Sequence, residues 1–478
     1  MPPALIHQQN ATLQPPVHLG RRAPYPRASI RRGPLRIAAV SQTPRGSSTE
    51  NAVASAKTGV VDSGAEPVSM KGTVFFTSSL DSASLDEECS AFIDRDGNFV
   101  EVMCCDYGFR TGASRMYDKD ADGRIPVSAF KLAWSNFQSE LRALRQSFRF
   151  DDFATVSEAN PPRGALGRAA YGLGQAVVDG LGALDRALEK GQVLEPLRPR
   201  PMTVDMSGEE GGEGSKLINE CRLIRSKLKQ LKLSNRAVTE REHARERAGK
   251  GVKTPWFILA VYKSLCVLLD VLFNNRPIQR FWFLETVARM PYFSYISMLH
   301  LYESFGWWRA GAELRKIHFA EEWNELHHLQ IMESLGGDQL WFDRFAALHA
   351  AVVYYWILLV LYVFSPELAY NFSELIEYHA VDTYGEFVDA NEQLLKSLPP
   401  PLVAAMYYRS QDLYMFDSFQ TSQSAQAPRR PPCSNLYDVF RNICDDEMEH
   451  VKTMRACQDA TVQQDIVSRR DEGPRVGL

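Results

Sequence analysis

The chain is poor in cysteine. Eight are scattered over 478 residues, only Cys104 and Cys105 are adjacent, and no CxxC pair occurs. This excludes a disulfide framework and a thiolate zinc site, and it fits a reducing compartment. Acidic residues and lysine are both missing from the first 49 positions, where seven arginines fall. No long apolar core accompanies those arginines, which excludes a secretory signal of the ordinary kind. The formal charge is −4 and falls to about −11 without the arginine-rich stretch, a balance that excludes a general nucleic-acid binder. Hydrophobic residues make up 45% of the chain, which allows a sizeable core in one of two or three domains.

Residues 1–37 read as an organelle transit peptide, with Leu35-Arg-Ile-Ala-Ala-Val40 resembling a chloroplast processing site; a disordered basic arm is the alternative. Residues 38–70 read as a disordered linker, and 71–207 as an N-terminal extension of unassigned function. Within it, short strands are expected at 73–77 and 98–104, and amphipathic helices at 127–148 and 163–190. Asp118-Lys-Asp-Ala-Asp-Gly123 begins like a calcium loop, but its twelfth position is Ala129 instead of a bidentate glutamate, so a surface turn is expected. A Gly/Glu linker opens 208–253, and 216–253 carries twelve Lys or Arg against four Glu. Leu217, Cys221, Ile224, Leu228 and Leu231 give that basic helix an apolar stripe. The stripe suits an anionic membrane surface, a dimer contact or its own domain. The main domain is expected over 254–460, followed by a polar tail at 461–478.

Four segments of that domain carry the chemistry. Glu285 is a lone carboxylate within the apolar helical pattern FLETVA, where an unpaired charge is costly to bury. Glu325-Leu-His-His328 and Glu447-Met-Glu-His450 each place a Glu and a His three apart, on one helix face. Between them, SELIEYHAVDTY supplies Glu377. One Glu from each of two helices, plus Glu-x-x-His from each of two others, is the ligand set of a di-iron four-helix bundle. Hard carboxylate oxygen with some imidazole suits iron or manganese better than zinc. Spacing leaves Glu321, Glu374, His327 and Glu449 open as alternatives, each within one turn of a candidate.

Two apolar segments flank these motifs, at 254–273 and 343–364. From Phe345 to Pro366 there are 22 residues without a charged side chain, long enough to span a bilayer. A span would put Glu325 and Glu377 on opposite sides of the ~30 Å hydrocarbon core, whereas one metal site needs them together. The expected arrangement is therefore interfacial, with bundle helices dipping into one leaflet. Tyr384 lies two turns after Glu377 on the same face and serves either packing or redox chemistry. Arg280 is placed to donate to a carbonyl substrate, Asp445 and Asp446 to order the ligands, and His300 and Tyr302 to pack.

The stretches LETVARMPYFSYISMLHLYESFGWWR, HFAEEWNELHHLQIMESLGG, ELIEYHAVDTY and NLYDVFRNICDDEMEHVKTMRACQ resemble the alternative oxidases, and within them the chloroplast branch. The resemblance covers 254–460. It implies an all-α core, a ferritin-like di-iron four-helix bundle with added membrane-surface helices, preceded by a mixed or partly disordered extension. It implies two iron ions held by Glu285, Glu325, His328, Glu377, Glu447 and His450, with Tyr384 as redox tyrosine. Plastoquinol and O₂ are the implied substrates, the thylakoid membrane surface the implied site, and water the product, without proton pumping. Leu284, His300, Tyr362 and Asp446 match further residues the family needs, and Arg280 and Asp270 match its quinone pocket. Cys266 stands where the alternative oxidases carry an arginine four residues before that aspartate. The polar insert at 410–435 matches an extra segment of the chloroplast branch. Two other readings of the ligand set are a di-iron hydroxylase of a quinone precursor or lipid, and a non-catalytic iron binder.

Overall fold

The computed structural model describes residues 91–93, 99–103, 128–149, 152–159, 161–162, 164–197, 213–309, 311–409, 431–462 and 464. The transit peptide, the linkers at 38–70 and 208–212, the strand at 73–77, the Asp118 turn, the insert at 410–430 and the end of the tail lie outside these residues.

Twelve α-helices and one hairpin are present among the described residues. The hairpin pairs β1 (Ala91–Ile93) antiparallel to β2 (Phe99–Glu101), with Phe92 opposite Val100. It supplies Val100 and Val102 to a small core against Ala405. Helices α1 (Ala129–Arg149), α2 (Asp152–Ala159) and α3 (Gly164–Lys190) follow. Arg145 and Arg149 of α1 both donate to Asp185 of α3 at 2.6 Å, tying the two amphipathic helices together.

The basic stretch does not form one helix. It divides into α4 (Glu213–Leu228) and α5 (Asn235–Arg245), because Ser234 caps α5 by accepting from the Ala237 N–H at 3.3 Å. Its stripe faces inward: Cys221, Ile224, Leu228 and Leu231 are buried, the last three in the largest core cluster. That apolar surface is spent within the chain and is not offered to a membrane or a second copy.

The bundle is made of α7 (Pro277–Ser304), α8 (Gly311–Ser334), α10 (Pro366–Lys396) and α12 (Leu436–Cys457). Helix α7 packs along α8, and α10 along α12. Pro277 and Pro366 each begin a helix, where a missing N–H costs nothing. Ser365 caps α10 and Asn435 caps α12. Gly336, at φ +89°, ends α8 in the left-handed region. Helix α11 (Leu402–Arg409) closes one end of the bundle and brings Tyr407 and Tyr408 into the core.

Helices α6 (Trp256–Leu272) and α9 (Trp341–Phe364) lie on the outside of the bundle and share a core cluster containing Tyr262, Leu358 and Phe372. Both expose long rows of large apolar side chains, among them Trp256, Val267 and Val271 on α6 and Val352, Trp356 and Phe364 on α9. Helix α9 is long and apolar enough to cross a membrane by composition. Its inner face packs on α7 and α10, so it runs beside the bundle and does not part the helices before and after it.

Candidate metal centre

The six side chains that the resemblance implies as ligands meet inside the bundle. Glu285, Glu325, His328 and Glu447 bring ligand atoms within 4.8 Å of one another, and so do Glu325, Glu377, Glu447 and His450. The two sets share Glu325 and Glu447, so these carboxylates lie between two adjacent positions while Glu285 with His328, and Glu377 with His450, close the two ends. All six are buried. Helix periodicity explains the meeting: each Glu-x-x-His spans about one turn, and α8 and α12 present those turns at the same level.

The donor set fits cations. His450 Nδ1 is 2.9 Å from Glu325 Oε1 and 3.5 Å from Glu447 Oε2, and His328 Nδ1 is 3.3 Å from Glu447 Oε1. Even so, Glu285 Oε2, both Glu325 oxygens and His328 Nδ1 are buried with no well-directed hydrogen bond. Four buried carboxylates face two imidazoles, and this imbalance moves protons. Burial, with the neighbouring Glu325 charge, pushes Glu285 well above the usual carboxylate range. Burial pushes Glu377 up to about 8. Burial opposes ionisation of Glu325 too, but the neighbouring His328 and His450 imidazoles hold it low. Burial likewise opposes charging His328, but bonds to Asp446 and Glu285 push it up. Metal ions would relieve the same crowding. None of the described cysteines belongs to either ligand group.

A further layer orients the ligands. His328 Nε2 faces Asp446 Oδ2 at 3.4 Å, which turns Nδ1 toward the centre. The same Asp446 oxygen accepts from Tyr408 and from Asn324, each at 3.0 Å. Tyr292 donates to Glu377 Oε1 at 2.7 Å, and Tyr384 donates to Glu285 Oε1. Burial and then the Glu285 charge push the Tyr384 phenol well up, so it stays protonated beside the carboxylate.

A cavity of about 280 Å³ leads to this centre. Glu285, Tyr384 and Glu447 line its inner end, and its walls come from α6, α7, α9 and α10. Val261, Leu268, Val353 and Ile357 line it and are themselves about half exposed, so it opens on the apolar face shared by α6 and α9. Its wall also carries Tyr354, Thr383 and His379, the last pushed down to about 3 by burial and then by the Arg280 charge. Arg280 donates to His379 Nε2 at 3.2 Å, to Asp270 at 2.8 Å and to Asn235 at 2.9 Å.

Residues 238–459 match the sequence profile of the alternative oxidase family. Over 195 residues the chain is 55% identical to ubiquinol oxidase 4, chloroplastic/chromoplastic, of Arabidopsis thaliana, covering 41% of this chain and 55% of that protein. It is 29% identical over 214 residues to a mitochondrial ubiquinol oxidase of Mangifera indica, covering 43% and 58%. It is 30% identical over 148 residues to mitochondrial ubiquinol oxidase 2 of Glycine max, covering 31% and 44%. The chain thus spans about half the length of the curated relatives it matches.

Within this matched stretch the expected site residues divide. The six ligand candidates, Tyr384 and Asp446 cluster at the centre, and Leu284 lines the cavity. Arg280 differs from expectation: it stands behind His379, committed to Asp270 and Asn235, and does not line the cavity. His300 lies on the surface against Arg315 at 3.0 Å, on the outward face of a turn whose Met298 and Leu299 pack inward. Tyr362, with its hydroxyl 3.5 Å from that of Tyr370, packs in a separate aromatic cluster outside the cavity. The alternatives left open by spacing point elsewhere: Glu321 bonds His318, Glu374 bonds Arg455, Glu449 bonds Lys452, and His327 bonds the Trp323 carbonyl. Tyr292, Asn324, Tyr408 and His379 were not singled out from the sequence. Each is brought to the site by packing between helices, and only Asn324, adjacent to Glu325, carried a local hint.

Proposed function

We propose that the chain is a di-iron quinol oxidase that takes electrons from plastoquinol and reduces O₂ to water in the plastid. The observation that carries this reading is the pair of overlapping carboxylate–imidazole sets at the blind end of an apolar cavity open on an apolar surface. Glu285, Glu325, His328, Glu377, Glu447 and His450 would hold the two irons, with Glu325 and Glu447 shared. When bound, the irons supply the redox capacity to take up O₂ and its four electrons.

The chain's own residues provide the rest. The exposed faces of α6 and α9 lie in one leaflet of the thylakoid membrane, so that a lipid-dissolved quinol enters the cavity without crossing water. Leu284 and the apolar walls exclude water from the ring. Tyr384 holds its phenolic proton at Glu285, where the cavity and the centre meet, and donates it there. Asp446, held by Tyr408 and Asn324, fixes the His328 ring. Two quinols give four electrons and four protons to one O₂, yielding two quinones and two waters.

The plastid location is supported by the printed name of the Arabidopsis relative and by the arginine-rich, acid-free first 49 residues. The test is O₂ uptake by purified, iron-loaded protein in lipid vesicles containing plastoquinol, with ¹⁸O₂ as substrate. All label in water and none in the organic product is the expected result, and cyanide has no effect because no haem takes part. Label in the quinone would mark a hydroxylase instead.

A further inference from the structure

A second buried polar group lies on the far side of Tyr292 from the cavity. His318 is fully buried between Glu321 and Tyr370. Its Nδ1 is 2.8 Å from Glu321 Oε2 and its Nε2 is 3.0 Å from the Tyr370 hydroxyl. A carboxylate oxygen only accepts, so Nδ1 carries the proton and Nε2 accepts from Tyr370. Burial pushes the Tyr370 phenol well above its ordinary value, so it loses an electron readily only if its proton has somewhere to go. Nε2 is that place.

The triad lies in a line of rings. Tyr292, hydrogen-bonded to Glu377, has its ring centre 6.1 Å from that of His318, and His318 is 5.6 Å from Tyr370. Beyond Tyr370 come Tyr362 at 5.6 Å, Tyr302 at a further 6.2 Å and Trp307 at a further 5.9 Å. Trp307 is 70% exposed. The line therefore runs from a proposed metal ligand to the surface, away from the cavity.

We infer that Tyr370, with His318 and Glu321 as its proton acceptors, and Trp307 form a protective electron relay that discharges the metal centre when it has been oxidised by O₂ and no quinol is present. This rests on the proposed di-iron reading. Tyr370 gives one electron, through the rings of His318 and Tyr292, to the oxidised centre. Its phenolic proton passes to His318 Nε2 while the Nδ1 proton passes to Glu321. An electron from Trp307, through Tyr302 and Tyr362, restores Tyr370, which takes its proton back. Trp307 loses its indole proton to water and recovers both from a one-electron reductant in solution, such as ascorbate.

The test uses iron-loaded full chain exposed to O₂ without quinol, followed by peptide mass spectrometry. The expected result is oxidation at Trp307 that ascorbate suppresses. In Tyr370→Phe, Trp307 oxidation is lost, oxidation of the peptide carrying Glu325 and His328 rises, and initial quinol-dependent O₂ uptake is retained. In Trp307→Phe, an exposed site that does not endanger folding, oxidation accumulates on Tyr370. Equal Trp307 oxidation in wild type and Tyr370→Phe, or an unmodified Tyr370 in Trp307→Phe, overturns the relay. Quinol-dependent O₂ uptake with Trp307 unmodified overturns the relay alone. Absence of both uptake and bound iron overturns the functional reading, and the relay with it.

Discussion

Two buried polar clusters lie side by side in the domain, and they are completed differently. Around Arg280 every charge has an opposite partner: Arg280 with Asp270 at 2.8 Å, Lys263 with Glu242 at 2.8 Å, and Arg245 with Asp382 at 3.1 Å. At the ligand centre four carboxylates face two imidazoles, and several of their atoms have no well-directed bond. The first cluster is electrostatically closed by the chain itself. The second carries an excess of carboxylate that protons or bound cations would balance, and the difference sets a closed scaffold against a candidate metal site.

Removing a side chain should therefore have opposite effects in the two places. Glu285→Gln, at one end of the centre, should lower quinol-dependent O₂ uptake to background yet leave the metal-free protein as stable as wild type or more so, since burial and the Glu325 charge already oppose its ionisation. Thermal unfolding of both metal-free proteins checks this, and a large loss of stability would contradict it. Arg280→Ala should behave in the reverse sense, destabilising the metal-free protein by about 1.5–3 kcal/mol because Asn235, His379 and the one-third-exposed Asp270 lose their donor. Denaturant unfolding reads that value directly, and a change below about 1 kcal/mol would show that this cluster is not the scaffold claimed here.

The clusters should also differ in the sign of their pH dependence. In the metal-free centre, Glu377 is pushed up to about 8 by burial. Between its unfolded value of about 4.5 and 8, the folded state holds a proton that the unfolded state has lost. Its contribution to stability is thus present below about pH 4.5 and declines as pH rises through that window. Glu242 runs the other way. Burial opposes its ionisation, but bonds from Lys263 and Tyr262 hold it below the ordinary value of 4.5. Its contribution is present above 4.5 and is lost as pH falls through the lowered folded value. Glu242→Gln should remove the acid-side loss, and Glu377→Gln the alkaline-side loss, in pH-dependent unfolding of metal-free protein. The smallest effect belongs to the exposed Arg236–Glu240 pair on α5, whose loss should change stability by no more than about 0.5 kcal/mol.

The centre was legible in the sequence because a metal site on helices writes itself in single-turn spacing. Glu325 with His328 and Glu447 with His450 are each local, and Glu285 stood out as a charge in an apolar run. The resemblance to the alternative oxidases then chose among neighbours such as Glu321 and Glu374, which α8 and α10 turn toward His318 and Arg455. What was not legible depends on how helices cross. Tyr292 reaches Glu377 over 85 positions and Tyr408 reaches Asp446 over 38, so no periodicity within one element reports them. Arg280 was read as facing substrate because only its spacing to Glu285 was visible, while Asn235 and His379, which hold it back, come from α5 and α10. The sequence of 216–253 suggests one basic helix whose apolar stripe could face three partners; the Ser234 cap divides it, and Ile224, Leu228 and Leu231 pack into the chain's own core.

Metal stoichiometry tests the central claim most directly. Iron is counted in full-length protein loaded anaerobically with Fe(II), in wild type, Glu285→Ala and Glu325→Ala. Glu285 belongs to one ligand set and Glu325 to both, so the expected order is two irons per chain, then one, then none. Two irons retained by Glu325→Ala, or none bound by wild type, would contradict the account.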